Sequence, residues 1–356
     1  MDREVRAAVV GCGFQGQLHI DCLRAIEGVR VVGACDPDPG RLREASAAGA
    51  EAVFASFTDM LDSVEIDMLT ICTMPYLHQQ MVVDALGREI NVLCEKPMAL
   101  TYLEGVEMAR AQDRSGALLG FGFNMRFMDS PLAVRDLVSR GVLGVPIYTR
   151  AWARSSHIPW WGRHFQKDLS GGGALASTAV HLLDLALWLA NGPRPTTASA
   201  SMARVFPRRR RGTAPSLESA RAFDVEDLIS GHVRCEGGFW LSIEGSWVDN
   251  RASTADQPSW DYSLDAFGSL AQAQLDPLLV SVEDPDGAVR SLDLPAGSMN
   301  FPQSVKRIVR DFVESVRSGT PPAVTVDQAL EVQLCVDALY KSALLGREVD
   351  LDSLRV

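Results

Sequence analysis

The residues best placed to do chemistry begin with Gly11-Cys12-Gly13-Phe14-Gln15-Gly16, directly after the apolar run Ala7-Ala8-Val9-Val10. Glycines at this spacing, following a strand and opening a helix, form a dinucleotide-binding fingerprint. Gly11 permits the tight turn, Gly13 lets a pyrophosphate approach the backbone, and Gly16 lets the helix pack on the strand. The first N–H groups of the helix then bind phosphate, with Phe14 and Gln15 beside it. Asp36 lies 20 residues beyond Gly16, at the end of the second apolar run. Its carboxylate accepts hydrogen bonds from the adenosine ribose and repels a 2′-phosphate, so NAD(H) is expected over NADP(H). Arg41 is the nearby residue that could instead accommodate that phosphate.

Two further groups could move a proton. Cys94-Glu95-Lys96-Pro97 ends the fifth predicted strand. Ligands of open parallel sheets bind beyond the carboxyl ends of the strands, so Lys96 points to the reacting end of a nicotinamide. There its ammonium can hold a substrate hydroxyl and favour the ionised form. Position alone also allows a surface lysine. Farther on, Gly171-Gly172-Gly173 leads an apolar helix carrying Ser177, His181 and Asp184 at i, i+4 and i+7. On a regular helix these share one face, and polar groups on an apolar helix need partners or a ligand. The glycines suggest a flexible entry to that helix.

The elements that must carry these residues alternate. Strands are expected at 7–10, 29–35, 53–54, 66–72, 91–94 and 117–123, with helices near 16–26, 38–48, 57–63, 75–87 and 100–114. This rhythm predicts a parallel sheet covered on both faces. It stops near residue 125. Longer alternating stretches follow at 146–155, 196–205, 226–234, 239–248, 260–267 and 279–282, which predict a mostly antiparallel sheet. The apolar helix at 174–190 interrupts them, and amphipathic helices near 303–318 and 327–345 close the chain. The expected fold class is α/β, with a Rossmann domain at 1–124 and a second α/β domain at 125–356.

Taken together, these residues resemble the Gfo/Idh/MocA family of oxidoreductases. The ordered features are the glycine loop, Asp36, Thr73-Met74-Pro75-Tyr76-Leu77-His78, Glu95-Lys96-Pro97, Gly122-Phe123-Asn124-Met125-Arg126-Phe127 and the glycine-led His181 helix. The resemblance covers nearly the whole chain. It implies a doubly wound Rossmann domain, followed by an α/β domain with a large open sheet. It also implies a bound nicotinamide cofactor and a sugar or cyclitol substrate. Under it, Thr73, Pro75, His78, Glu95 and Lys96 join the glycine loop and Asp36 as cofactor residues. Pro75 lies near the nicotinamide, and His78 near the start of the fourth helix. Lys96 and His181 are the expected catalytic pair. Many dehydrogenases of the family carry an Asp four residues before that His, whereas Ser177 stands there in this chain. A serine cannot serve as a carboxylate base.

The expected reaction passes a hydride between NAD and a secondary alcohol or ketone, with Lys96 or His181 exchanging the hydroxyl proton. The stretch between Arg154 and Asp168 holds His157, Trp160, Trp161, Arg163 and His164, which could line a sugar pocket. The same tryptophans could equally anchor the loop to the core. Ser177 and His181 are pocket candidates too, and Asn124 and Arg126 are weaker ones. The basic run at 208–211 reads as a solvated loop, or as a contact for the pyrophosphate of a sugar nucleotide. The alternatives are a non-catalytic NAD(H)-binding sensor and an NAD-dependent glycoside hydrolase.

Composition restricts the rest. A net charge of −11 disfavours nucleic-acid and anionic-membrane partners. Seven cysteines without a CxxC pair argue against a disulfide framework or a zinc site, and no metal is expected. With no targeting segment in view, a cytoplasmic location is the default expectation. An open sheet with apolar outer residues needs covering, which predicts a homodimer or homotetramer.

Overall fold

The structure is a computed structural model that describes residues 4–206, 214–249, 260–284, 286–294 and 300–356. Contacts divide the chain into two compact units. Unit 1 comprises residues 1–127 and 301–330, and unit 2 comprises residues 128–300 and 331–356.

Unit 1 opens with β1 (Val5–Val10), α1 (Phe14–Arg24), β2 (Val29–Cys35), α2 (Pro39–Ala47), β3 (Val53–Phe54) and α3 (Phe57–Ser63). It continues with β4 (Met68–Ile71), α4 (His78–Leu86), β5 (Asn91–Cys94), α5 (Tyr102–Ser115) and β6 (Leu119–Phe121). The six strands pair in parallel in the order β3-β2-β1-β4-β5-β6. Strand β1 is covered on both faces, which is why its sequence is a continuous apolar run. The order reverses between β1 and β4, and ligands of such sheets bind at this point. Local signals set the helix boundaries. Ser56 Oγ accepts from Asp59 N–H at the start of α3, and Thr101 Oγ1 accepts from Glu104 N–H at the start of α5. Gly116, at φ +71°, ends α5.

Unit 2 contains α6 (Asp129–Ser139), β7 (Pro146–Ser155), α7 (Lys167–Ser170), a π-helical turn (Ala174–Ala179), α8 (Val180–Leu189) and β8 (Pro195–Ala203). There follow α9 (Leu217–Ala222), β9 (Leu228–Cys235), β10 (Trp240–Ser246), β11 (Trp260–Gly268), β12 (Ala271–Leu275), β13 (Leu278–Glu283) and β14 (Val289–Ser291). Among the described residues, nine strands pair in the order β14-β13-β12-β11-β7-β10-β9-β8-β15, the last being Val349–Asp350. Among the described residues of this sheet, only the β7–β10 pairing is parallel. Alternate residues such as Ala151, Ala153, Leu241 and Ile243 are buried beneath α8. The opposite face carries Tyr148 stacked between Trp240 and Phe267, at centroid distances of 3.9 and 5.4 Å.

The remaining helices are α10 (Phe301–Ser318) and α11 (Val326–Leu345). Here the division differs from the expected break at residue 124. Segment 301–330 belongs to unit 1, although the sequence reading gave it to the second domain. The apolar face of α10 explains this. Val305, Val309, Phe312 and Val313 repeat at helical spacing and are buried with Ile20 and Leu23 of α1 and Val9 of β1. Strands β12, β14 and β15 and helix α6 had no expectation; β14 and β15, of three and two residues, are too short to give a periodic signal. The run at 208–211 lies outside the described residues.

Candidate functional site

The glycine loop is built by close approaches. Gly11 sits at φ +85°, where a side chain is strained, and a Cβ there would lie 2.6 Å from the Cys72 carbonyl oxygen. A Cβ on Gly16 would collide with the Gly11 carbonyl oxygen. Gly13 differs. A Cβ there would meet nothing closer than Arg41, at 3.8 Å, so its missing side chain serves something other than protein packing. Helix α1 starts immediately after it without a side-chain cap. Its first N–H groups are therefore open to an anion. These residues fit the pyrophosphate of a dinucleotide.

Asp36 closes the other end of this surface. Its Oδ2 accepts from Cys12 N–H at 2.8 Å and its Oδ1 from Asp38 N–H at 2.9 Å. Arg41 Nη1 lies 3.5 Å from Oδ2. Three donors thus hold one buried carboxylate at the tip of β2.

Glu95 connects the loop to the end of β5. Its Oε1 accepts from Gln15 Nε2 at 2.8 Å and lies 3.3 Å from His19 Nε2, while its Oε2 accepts from Lys96 N–H at 3.2 Å. Gln15 and Glu95, both expected on the cofactor, bind each other. A Cβ on Gly122 would lie 2.8 Å from the Glu95 carboxyl carbon, so the glycine makes room for this group. Burial pushes the Glu95 carboxyl up, yet His19 and Lys96 hold it below the usual carboxylate range. Burial works against the His19 charge too, but Cys72 and Glu95 outweigh it and push that ring up to about 10. Lys96 is half-buried, and desolvation draws its ammonium below the usual lysine range against the pull of Glu95.

His78 is buried at the start of α4, with Nδ1 3.0 Å from the Pro97 carbonyl oxygen and Nε2 3.2 Å from that of Thr73. It joins the Thr73-Met74-Pro75 segment to the residues after Lys96, and that backbone work replaces the expected cofactor contact. Burial lowers its pKa, while the Thr73 and Pro97 carbonyls act in the opposite sense. Pro75 is buried and opens a short 3-10 turn, Pro75–Leu77. Asn124 and Arg126, considered for a substrate pocket, are structural. Asn124 Nδ2 donates to Ser304 Oγ at 2.7 Å, and Arg126 Nη1 donates to Gln328 Oε1 at 2.7 Å, both holding 301–330 to the unit. Both side chains are buried, so they face protein rather than solvent.

In unit 2 the glycine-led segment is packed tightly, correcting the expected flexible entry. A Cβ on Gly172 would collide with Tyr340 Oη, and one on Gly173 with the Glu226 carbonyl oxygen. Glu226 Oε2 accepts from Gly173 N–H and Oε1 from Leu175 N–H, each at 2.9 Å. Tyr340 Oη donates to Oε1 at 2.9 Å. Burial raises the pKa of Glu226, and these three donors oppose the rise. Ser177 lies in the π turn, so the i, i+4 relation of a regular helix does not hold between it and His181. Ser177 is half-buried, with Oγ 3.5 Å from His164 Nδ1, whereas His181 and Asp184 are buried in α8.

The candidate pocket loop divides. Trp160 sits in an aromatic cluster with Phe165, Phe206 and Phe223, at 5.1–6.0 Å between ring centroids, and is an anchor. Trp161, Arg163 and His157 are exposed, with Trp161 edge-on to Trp260 and His157 Nδ1 2.8 Å from Ser156 Oγ. Asp227 and Trp247 do structural work. Asp227 accepts from Val205 and Phe206 N–H, and Trp247 Nε1 donates to Thr178 Oγ1. The sequence reading missed His19, Glu226 and Tyr340. The spacing Gly16-x-x-His19 carries a signal for the first, since it places the ring one turn into α1. Glu226 and Tyr340 meet only through the tertiary fold.

Comparison with known proteins follows the same division. The family described as "Oxidoreductase family, NAD-binding Rossmann fold" matches residues 5–123, and "GFO/IDH/MocA C-terminal domain" matches 132–273. The chain is similar to D-glucoside 3-dehydrogenase of Escherichia coli, 27% identical over 98% of this chain and 97% of that one. It is also similar to inositol 2-dehydrogenase of Leifsonia xyli, 32% identical over 58% of each chain. In structure it is similar to levoglucosan dehydrogenase in complex with NADH and levoglucosan. That likeness has a TM-score of 0.83 at 20% identity, covering 98% of this chain and 99% of that one.

Proposed function

Since the chain belongs to the Gfo/Idh/MocA family of NAD-dependent oxidoreductases, we propose that it interconverts a secondary alcohol and a ketone on a sugar, sugar derivative or cyclitol. The substrate class rests on the glucoside and inositol dehydrogenases to which the chain is similar. The residues of the glycine loop and Asp36 hold the cofactor, which supplies the hydride acceptor or donor. Lys96 holds the reacting oxygen. Its lowered pKa and its place at the end of β5 suit a group that stabilises an alkoxide and exchanges a proton with it. His181 is the second proton carrier, since a histidine changes charge near neutral pH. Ser177 orients by hydrogen bonding and contributes no charge.

The observation that carries this reading is the Gln15–Glu95–Lys96 connection, which fixes the lysine-bearing strand end to the cofactor loop. Lys96→Met is expected to abolish turnover while NADH still binds, as read by the fluorescence of the reduced ring. Turnover at the wild-type rate in that variant rejects the assignment.

The outer face of the unit 2 sheet favours a second copy of the chain as its cover. Its stacked Tyr148, Trp240 and Phe267 lie beside the ion pairs Arg150–Asp265 and Arg154–Glu244, a mixture typical of subunit interfaces. A homodimer or homotetramer is therefore part of the proposal. The seven free thiols favour a reducing compartment, in keeping with a cytoplasmic enzyme.

A further inference from the structure

Trp160 and Trp161 are neighbours in different surroundings. Trp160 anchors its loop in the aromatic cluster, whereas Trp161 is 60% exposed. The Trp161 ring stands edge-on to Trp260, with centroids 6.2 Å apart, and Trp260 stacks on Tyr262 at 6.0 Å with planes 10° apart. Register shows which side of the sheet they occupy. Trp260 pairs with Ser155 and Tyr262 with Ala153, and cross-strand partners share a face. Ala153 is buried beneath α8, so Trp260 and Tyr262 stand on the α8 side, with Trp161 against them. Two links tie this aromatic wall to Ser177. His164 Nδ1 lies 3.5 Å from Ser177 Oγ, and the His164 N–H donates to the Trp161 carbonyl oxygen at 3.5 Å. Trp260 packs on the cluster that holds Trp247, whose Nε1 donates at 2.9 Å to Oγ1 of Thr178, the residue after Ser177. The turn presenting Trp161 has an uncommon backbone. Gly162 and Arg163 are consecutive left-handed residues, at φ +61° and +57°. An arginine is strained there, and such strain collects at ligand-binding turns. It sets an exposed guanidinium two residues from the exposed indole.

We infer that Trp161, Trp260 and Arg163 form a second sugar subsite beside Ser177, so that the substrate is a glycoside. One ring reacts at Ser177, and the next rests on the tryptophan wall. The electron-rich face of an indole attracts the C–H face of a pyranose, and a guanidinium donates to the hydroxyls on its rim. From Ser177 past His164 to Trp161 the surface runs from half-buried to exposed, which suits a reacting ring followed by a more solvated one. A net charge of −11 favours a neutral second unit over a phosphate-bearing one. The inference rests on the proposed reaction beside Ser177 and His181, and it adds where the rest of the substrate lies.

Calorimetric titration of the full chain in the presence of NADH tests it. The probes are glucose and galactose, the disaccharides cellobiose, maltose and lactose, and UDP-glucose, each also offered with NAD⁺ for turnover. At least one disaccharide should bind about tenfold or more tightly than its component monosaccharides. Trp161→Ala should remove that advantage, and Trp161→Phe should keep most of it. Arg163→Gly should reduce the advantage about threefold. It should also raise the urea midpoint, since glycine suits φ +57°, so lost selectivity in that variant is not lost folding. Equal Kd values for disaccharides and monosaccharides, an advantage that survives Trp161→Ala, or no saccharide binding at all overturns the inference. Tightest binding of UDP-glucose through Trp161 also overturns it, by giving the wall to a nucleobase. Disaccharide selectivity without NADH formation upholds the subsite and rejects the dehydrogenase reading, whereas NADH formation without that selectivity rejects the subsite alone.

Discussion

Glu95 shows how much one side chain can connect. It receives Gln15 from the cofactor loop, His19 from the next turn of α1 and the main chain of Lys96. The buried His19 ring, pushed up by Cys72 first and by Glu95 after it, makes stability depend on pH. The His19 ring is pushed up to about 10 from an ordinary value of 6.5. Between those values the folded chain binds more protons than the unfolded chain, so stability falls as pH rises. The contribution is complete below about pH 6.5 and is lost on passing about 10. His19→Gln should therefore flatten the decline of the urea midpoint between pH 6.5 and 8.5, before unfolded thiols ionise. An identical slope in the variant contradicts the raised pKa of His19. At this scale the sequence was partly legible. The places of Gly11, Gly16, Asp36 and Lys96 in the fold were readable because each sits at a fixed distance from a strand end. Gln15, Glu95 and His78 were placed in the right neighbourhood, but their partners are protein groups from distant elements. Asn124 and Arg126 look like pocket residues in sequence, yet their partners Ser304 and Gln328 are supplied about 200 residues later.

Among the elements, the segment carrying Ser177 and His181 departs most from its sequence pattern. An apolar run led by three glycines reads as a regular helix with a loose entry. The structure shows a π turn whose start is held by Glu226 and Tyr340. Glu226→Ala would leave the Gly173 and Leu175 N–H groups buried without their acceptor. It should cost about 2–4 kcal/mol in urea unfolding, the range for two orphaned buried donors. It should also lower turnover, because His181 follows this turn, while NADH affinity stays governed by unit 1. A loss below about 0.5 kcal/mol would mean that water replaces the carboxylate. Strands such as β2 and β7 matched their expected bounds because alternating or continuous apolar runs specify them. A π turn has no such signature, since it depends on what the helix start packs against.

For the molecule as a whole, the class was visible in the change of rhythm near residue 125, where short strands with helices between them give way to long alternating strands. What composition could not reveal is that the chain returns, with 301–330 completing the core of unit 1. Amphipathicity shows that α10 buries one face, but not against what. The outer sheet face gives a prediction at this scale. Trp240→Glu places a charge against Tyr148 in the stacked aromatic group. It should reduce the mass seen by light scattering to that of one chain, whereas a wild-type protein that already runs as one chain contradicts the proposed assembly.

The central claim is that the molecule transfers a hydride to or from a sugar-like alcohol. It is tested most directly by offering the wild-type protein NAD⁺ with a panel of free polyols, aldoses, sugar phosphates and sugar nucleotides, and following NADH absorbance. The account predicts net accumulation of NADH with at least one member of the panel, and none with Lys96→Met. Tight NADH binding without turnover across the panel would contradict it and leave a nucleotide-binding protein that does no chemistry on sugars.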